Sequence, residues 1–230
     1  MEKIIYAFER DDEGHWRAKL VCGHYQHVRH EPPLVSREWV LTPEGRSTRI
    51  GKSLECRKCE NGDPTDFDVA DLMECDHDYI DEILNGAFEA IEAGDGERLL
   101  ACADMFWARL GMHIRAEHLY LFPALEHASA APADTSGKDD VAEILAGLRE
   151  DHNFFMRGMI HVMKSLRKDP NGDDAVVDIL KRIAERLAAH NELEETRVYR
   201  WADEVLNTRD REALDERMLR EITNLPPRFS

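Results

Sequence analysis

The stretch HIRAEHLYLFPALEHA, residues 113–128, places a histidine and, four residues later, a glutamate on one face of a predicted helix. Leu110 and Leu121 lie on the same face, which is therefore expected to be buried. Burying an imidazole and a carboxylate costs free energy unless a partner satisfies them, and a metal ion is one such partner. The pair His113 and Glu117 becomes informative if other helices repeat it.

Four long helical patterns follow one another from about residue 66 onward, separated by short loops. Their apolar residues recur at intervals of three and four, as expected for helices that bury one face. Four helices of similar length joined by modest loops predict an antiparallel up-down-up-down four-helix bundle, so the fold class is mainly α. The predicted helices cover residues 66–93, 96–128, 138–168 and 174–207, and a short polar helix is expected at 209–222.

Each of these helices places a histidine on its apolar face, and two of them add a glutamate one turn later. A group of unrelated core histidines explains this poorly, because six buried polar groups would all need partners at once. Imidazole and carboxylate together suit iron, manganese or zinc better than calcium or magnesium. If the two glutamates bridge, the set can hold two metal ions with open positions for a small molecule. The candidate ligands are His77, His113, Glu117, His152, His190 and Glu194.

The order and spacing of these residues resemble the hemerythrin-like, or HHE cation-binding, family over about residues 66–207. The segments DHDYI (76–80), HIRAEHLYLFPAL (113–125) and HNELEETRVY (190–199) also resemble its helix motifs. The resemblance implies a non-haem di-iron centre in which the four histidines are terminal ligands. It also implies that Glu117 and Glu194 bridge the two irons.

Two departures from the oxygen-carrying hemerythrins argue against reversible oxygen storage. Met156 stands where those proteins usually have a second histidine on the third helix, and Glu194 replaces an aspartate one residue further on. The set is closer to the branch that repairs iron–sulfur centres after oxidative or nitrosative stress, and to branches that sense iron or oxygen. The expected function is therefore to bind or react with O2, NO or peroxide in stress response, repair or sensing.

Two other functions stay open from the sequence. A di-iron peroxidase or NO reductase would require turnover, and the sequence offers no obvious site for an electron donor, so whether the chain is an enzyme is undecided. A regulatory adaptor would use metal to stabilise the bundle and a separate N-terminal domain, whose cysteines predict a zinc site, to dock a protein partner.

Residues 1–62 have a different character and are predicted to form a small zinc-ribbon-like β domain. KIIYAFE (3–9) and HWRAKLVC (15–22) read as strands, and TPEG (42–45) suggests a hairpin. Parts of residues 16–59 resemble a small bacterial domain family of uncharacterised function.

Three thiols and a group of histidines in this domain predict one zinc ion. Cys22 and the CRKC segment, 56–59, supply three sulfur ligands, and a tetrahedral site with three cysteines and one histidine is a common structural zinc site. Such a site stabilises a short segment. The fourth ligand is left open among three histidines, with His24 favoured because it continues the alternation past Cys22. The candidate ligands are Cys22, Cys56 and Cys59 with His24, or with His27 or His30 in its place.

The acidic residues of the chain are concentrated in its larger part. The net charge is −17, and residues 1–60 carry 11 basic and 10 acidic residues, which leaves −18 for residues 61–230. This shift at CENGDPTDFD (59–68) predicts two domains, 1–62 and 63–230. An acidic larger part argues against binding of nucleic acid.

The chain shows no sign of a membrane or secretory destination. No stretch approaches the roughly 20 apolar residues of a membrane helix, and the first residues lack a basic segment followed by an apolar run. A cytoplasmic location is therefore expected, with a small diatomic ligand or oxidant, and a protein bound through the N-terminal domain, as the expected partners.

Overall fold

The computed structural model describes residues 1–33, 35–64, 69–129 and 138–224 and shows a mainly helical protein with a small antiparallel sheet near its N-terminus. The four predicted long helices are confirmed, although the second and the fourth are each interrupted once. The predicted start at residue 66 lies outside the described residues. The helices are α1 Pro43–Ser47, α2 Arg57–Glu60, α3 Val69–Ala93, α4 Gly96–Ala116, α5 Phe122–Ser129, α6 Lys138–Leu166, α7 Asp174–Leu193, α8 Tyr199–Val205 and α9 Thr208–Ile222.

Local sequence signals fix the ends of the long helices. Gly94 follows the last residue of α3 with a φ of 65°, a left-handed conformation that glycine adopts without strain. The side chain of Asp95 accepts a hydrogen bond from the backbone N–H of Arg98 and so caps α4. Asp173 caps α7 in the same way through the N–H of Val176.

The long helices pack in a closed ring. α3 contacts α4 and α7, while α6 contacts the same two helices, so the apolar faces of all four meet in one interior. Phe106, Phe155 and Ile183 are fully buried in that interior. Among the described residues, no helix contains an apolar stretch long enough to cross a membrane.

The C-terminal helix is more deeply embedded than its polar sequence predicts. Leu214, Met218 and Ile222 of α9 are buried and pack in one cluster with residues of the long helices. The backbone carbonyl of Ile222 accepts a 2.8 Å hydrogen bond from Nη1 of Arg109 in α4. α9 therefore packs against α3 and α4.

The N-terminal sheet has four strands, β1 Glu2–Arg10, β2 Trp16–Leu20, β3 Tyr25–His27 and β4 Ser53–Glu55. Their spatial order is β3-β2-β1-β4, and each neighbouring pair is antiparallel. The two predicted strands are confirmed: β1 is two residues longer than expected, and β2 is three residues shorter. Ala18, Leu20 and Cys22 are buried on one side, as their alternation predicted.

The predicted hairpin around TPEG, residues 42–45, is wrong, because these residues begin helix α1 instead. Thr42 Oγ1 accepts a 3.1 Å hydrogen bond from the N–H of Gly45, and Pro43 occupies the first helical position, where its missing N–H costs nothing. Gly45 also allows a close approach, since a Cβ there would lie 2.2 Å from the backbone oxygen of Trp39.

The sheet region is attached directly to α3. The hydroxyl of Tyr79 donates a 2.5 Å hydrogen bond to the backbone oxygen of Pro43. Arg46, which is 1% exposed, forms an ion pair with Glu82. Tyr6 of β1 is buried in the same cluster as residues of α3, so the sheet and the helices share part of one core.

Candidate metal centre

Helices α4 and α7 change their winding at the two glutamates singled out by the sequence. A π-helical turn, Glu117–Leu121, leads from α4 into α5, and a second one, Glu194–Val198, leads from α7 into α8. The N–H of Phe122 bonds to the carbonyl of Glu117, five residues back, and Tyr199 does the same with Glu194. Such turns insert one residue into a helix and occur frequently at functional sites.

The first half of the site lies between α3 and α4. Nε2 of His77 and Nε2 of His113 approach to 3.1 Å. Oε2 of Glu194 is 3.3 Å from the first nitrogen, and Oε1 of Glu117 is 3.5 Å from the second. These donor atoms therefore face a common point.

The second half repeats this geometry between α6 and α7. Nε2 of His152 and Nε2 of His190 are 3.1 Å apart. Oε2 of Glu117 lies 3.2 Å from His152 Nε2, and Oε1 of Glu194 lies 3.2 Å from His190 Nε2. Each carboxylate thus directs one oxygen to each pair of histidines, which is the geometry of two adjacent metal ions bridged by two carboxylates.

All six residues predicted from the sequence are brought together, and none of them is more than 3% exposed. The second nitrogen of each imidazole is held by a further side chain, and such partners fix the ring so that Nε2 faces the cluster. His118, which follows the first bridging glutamate, is one of these partners rather than part of the cluster. The contacts are His77 Nδ1–Glu195 (2.8 Å), His113 Nδ1–Asp76 (2.9 Å), His152 Nδ1–His118 (2.8 Å) and His190 Nδ1–Asp151 (3.1 Å).

Two arginines support the aspartates that hold the histidines. Nε of Arg109 donates a 2.5 Å hydrogen bond to Asp76, and both side chains are almost completely buried. Nε of Arg186 donates to Asp151 in the same way, but the Arg186 side chain is 43% exposed. The two halves therefore share one arrangement of Arg, Asp and His, and they differ in how far it is exposed to solvent.

A tyrosine that the sequence reasoning missed reaches the centre from one side. The hydroxyl of Tyr199, which is 1% exposed, lies 3.2 Å from His77 Nε2 and 3.4 Å from Glu194 Oε2. Burial and the charges of Glu194 and Glu117 raise the pKa of Tyr199 well above its usual value, so the hydroxyl is protonated at neutral pH. Phe122 occupies the corresponding position in the other half, with its ring 5.8 Å from that of His152.

Coordination of a metal would satisfy the six side chains better than hydrogen bonds among themselves do. Both oxygens of Glu117 and Oε1 of Glu194 are buried, and in the described part of the chain they make no well-formed hydrogen bond, since their polar neighbours are histidine Nε2 atoms at 3.2–3.5 Å. Such carboxylate oxygens carry a large desolvation cost unless they are paired or coordinate a metal. Two pairs of imidazole nitrogens, each pair 3.1 Å apart, face these oxygens. Together they form a donor set for a cation.

The buried charges couple strongly to one another. Although burial alone lowers the pKa of the His113 imidazole, Glu117 and Asp76 together raise it to about 10. Burial raises the pKa of Glu117, but His113 and His152 overcome this effect and hold it well below its usual value. Protons on the imidazoles therefore compete with any cation for the same carboxylates.

This competition predicts how stability depends on pH once metal has been removed by a chelator. The His113 contribution is fully present below the unfolded pKa of 6.5 and is lost as the pH rises through the folded pKa of about 10. The Glu117 contribution is present above its unfolded pKa of 4.5 and is lost as the pH falls. The free energy of unfolding of the stripped chain should therefore fall between pH 6.5 and 10, by at most about 1.4 kcal/mol per pH unit for each proton.

Urea unfolding at a series of pH values, with and without metal, would measure this dependence. The metal-containing chain should show the opposite trend between pH 6 and 8, because coordination needs neutral imidazoles. A stripped chain that gains stability from pH 7 to pH 9 would contradict the expectation.

A second cluster lies at the end of the sheet. Sγ of Cys56 is 3.7 Å from Sγ of Cys22 and 3.5 Å from Nδ1 of His24, which in turn is 3.4 Å from Sγ of Cys59. The four ligand atoms all lie within 4.8 Å of one another. Burial raises the pKa of the Cys56 thiol, but hydrogen bonds from the Cys59 backbone and from neighbouring side chains lower it to about 7.

The structure selects one histidine among the three that the sequence left open. His24 is buried and lies within the group of cysteines. His27 is half exposed and pairs with Asp11 at 2.8 Å, and Nδ1 of His30 accepts a hydrogen bond from the N–H of Arg37. His24 is therefore the histidine positioned to join the three thiols.

Comparison with known families agrees with both parts of this description. The model of the hemerythrin HHE cation binding domain family matches residues 68–202, more than half of the chain. The model of a family described as a protein of unknown function (DUF3565) matches residues 6–63, which include the cysteine cluster. No curated protein and no solved structure matches the chain. The resemblance expected from the histidines and glutamates is thus confirmed, and the chain belongs to the hemerythrin HHE cation-binding domain family.

Proposed function

We propose that the chain is a cytoplasmic di-iron protein that binds or reacts with O2, NO or peroxide in stress response, iron-centre repair or iron and oxygen sensing. One observation carries the proposal: each of two buried carboxylates directs one oxygen to each of two histidine pairs. Imidazole and carboxylate ligands suit iron, and two bridging carboxylates leave open positions on both ions.

The proposal includes the arrangement of the helices and the roles of the six residues. The four long helices would form an up-down-up-down bundle, which the ring of helix contacts and the short connections support. Terminal ligands would be the four histidines, and Glu117 and Glu194 would bridge.

The chain's own residues would orient and protect a small ligand at this centre. Iron held by the four histidines and two glutamates would supply open coordination positions and would accept or donate electrons. Phe122 and the surrounding apolar side chains exclude water, since Phe122 is fully buried. The Tyr199 hydroxyl can donate a hydrogen bond to an atom placed beside His77 and Glu194, because it stays protonated at neutral pH.

Metal analysis with an optical spectrum, followed by titration with O2 and NO, tests the proposal. We expect about two irons per chain and a spectral change on adding NO. Tyr199→Phe should keep the iron but speed the release of the bound ligand about 10-fold, the effect of losing one hydrogen bond to a charged group. Tyr120→Phe is the matched control, because Tyr120 is only partly buried and packs against the apolar cluster that includes Leu121 and Leu125.

Three outcomes would contradict parts of this proposal. A chain that takes up no iron after anaerobic addition of ferrous ions would exclude the di-iron function and favour the adaptor function. Iron uptake with no response to either gas or to peroxide would exclude ligand binding. Sustained turnover with an added electron donor would point instead to a peroxidase or an NO reductase.

The proposal also places one zinc ion in the N-terminal cluster. The grouping of three thiols and one buried imidazole within 4.8 Å of one another supports this assignment. A zinc-stabilised surface next to the helices is also the surface that we expect a protein partner to bind.

Replacing His24 and His27 in two separate variants distinguishes the zinc ligand from a nearby histidine that does not bind zinc. His24→Ala should reduce zinc from about one ion per chain to less than about half, because a tetrahedral site loses one of its four ligands. His27→Ala should keep zinc, since this side chain contacts Asp11 and not the cysteines. Zinc content by mass spectrometry after dialysis against a weak chelator is the measurement, and equal zinc in both variants would contradict the assignment.

A further inference from the structure

An open groove of about 600 Å³ lies on the outer side of α6 and α7, away from the histidines of the centre. Arg157 projects into it from α6, while Arg182 and Arg186 project from α7. A cluster of three guanidinium groups is unexpected in a chain with a net charge of −17. The groove is therefore a local positive site on an acidic protein.

Two of these guanidinium groups are held in place by an aromatic ring. The Cζ atoms of Arg186 and Arg182 lie 4.7 Å and 5.5 Å from the centre of the Phe154 ring, within the range of a cation–π interaction. Stacking restricts the long side chains before any ligand arrives, so less entropy is lost on binding. The pair is thus oriented in advance for an anion.

Acidic groups do not cancel this charge. Glu150 also lines the groove, and Asp151 pairs with Arg186, but that contact uses Nε of the guanidinium group. Its two terminal nitrogens make no hydrogen bond to the described part of the chain and point to an anion as a partner. No ion pair to Arg157 or Arg182 occurs among residues 1–33, 35–64, 69–129 and 138–224.

The floor of the groove is apolar. Gly158 and Ile179 line it, and a Cβ at Gly158 would lie 2.9 Å from Cδ1 of Ile183. The glycine therefore lets α6 and α7 approach closely and, with Ile179 and the Phe154 ring, supplies apolar lining to the groove. A surface of this kind suits an aromatic or heterocyclic ring, while the guanidinium groups suit phosphate.

We propose that this groove binds a phosphorylated small molecule with a ring, of the nucleoside diphosphate class. Phosphate oxygens would contact the arginines, and the ring would lie on the apolar floor. Arg186 also holds Asp151, which contacts Nδ1 of His190. A bound molecule would therefore change the surroundings of one histidine of the buried centre.

Titration of the intact 230-residue chain with ADP, followed by calorimetry at low salt, tests the binding step. Arg182→Glu should weaken ADP about 10-fold or more, since a charged hydrogen bond is replaced by repulsion. Arg200→Glu, the same exchange at an exposed position of α8 that does not line the groove, should leave the affinity unchanged. Absence of ADP binding, or equal affinity in the two variants, would overturn the proposal.

Two further probes separate the parts of the ligand. Adenosine should bind much more weakly than ADP, because it lacks phosphate, and pyrophosphate should bind more weakly because it lacks the ring. Adenosine as tight as ADP would overturn phosphate recognition, and pyrophosphate as tight as ADP would overturn the role of the ring.

Nuclear magnetic resonance of the histidine rings in the metal-free chain tests the contact with the centre, independently of iron. ADP should shift the ring signals of His190 and leave those of His77, which is held by Glu195, unchanged. Asp151→Asn should reduce the His190 shift. An unchanged His190 signal at saturating ADP would overturn this second step.

Discussion

Replacing Glu117 with glutamine is expected to leave the folded chain with at most one tightly bound metal ion instead of two. The two oxygens of Glu117 face different histidines, 3.5 Å from His113 Nε2 and 3.2 Å from His152 Nε2. An amide keeps the shape but has one weaker oxygen donor and no charge, so it cannot bridge two cations. Changes to residues that support a metal ligand typically lower metal affinity about 10–100-fold. The loss of a ligand itself should lower metal affinity by more than this.

The Glu117→Gln variant should nevertheless fold. Glutamine keeps the size and shape of the buried side chain, so the packing around it is retained, and the metal-free variant loses only the attraction of the carboxylate to His113 and His152. Glu126→Gln is the matched control, because Glu126 lies in the following helix, is exposed and contacts only Arg149 in the described structure. Metal per chain after gel filtration is the measurement. Equal metal content in the two variants would exclude Glu117 as a ligand.

The six residues of the centre could be predicted because burial and polarity conflict at their positions. Helical periodicity places His77 and His152 on faces that must be apolar, and all six residues are found there, at most 3% exposed. The long helices follow from the same periodicity and from their caps. Periodicity alone cannot reveal the two π-helical turns, since a single inserted residue shifts the pattern no more than ordinary variation does.

The supporting residues could not be assigned in advance, although the sequence contains a repeated signal. An aspartate directly precedes both His77 and His152, and an arginine precedes His113 and His190 by one turn. Each aspartate contacts a histidine of the neighbouring helix rather than the one beside it in sequence. That exchange depends on how the helices pack, which no single-helix pattern contains. Tyr199 was missed for a related reason, because the π-helical turn before it sets its direction.

Replacing Asp76 with alanine should destabilise the chain far more than replacing Asp151, although the two aspartates occupy equivalent positions. Asp76→Ala leaves Arg109, which is 0% exposed, without its carboxylate, and breaking a buried pair in this way costs about 3–5 kcal/mol. Asp151→Ala leaves Arg186, whose side chain is 43% exposed and can be solvated, so its cost should stay within about 1 kcal/mol. Urea unfolding of both variants without metal measures the difference.

Metal affinity should respond to both replacements alike. Asp76 holds Nδ1 of His113, and Asp151 holds Nδ1 of His190, so each variant loses the group that orients one ligand. A loss of about 10–100-fold in affinity is expected from either change.

A double variant keeps the stability argument testable if Asp76→Ala alone fails to fold. Combining Asp76→Ala with Arg109→Leu removes the unpaired buried charge, so it should recover much of the lost stability while His113 still lacks its partner. Metal affinity should then stay low although the fold is restored. Equal stability losses for Asp76→Ala and Asp151→Ala would show that burial of Arg109 does not set the cost. Full metal affinity in the double variant would show that Asp76 does not orient His113, because only the stability effect of the ion pair would then remain.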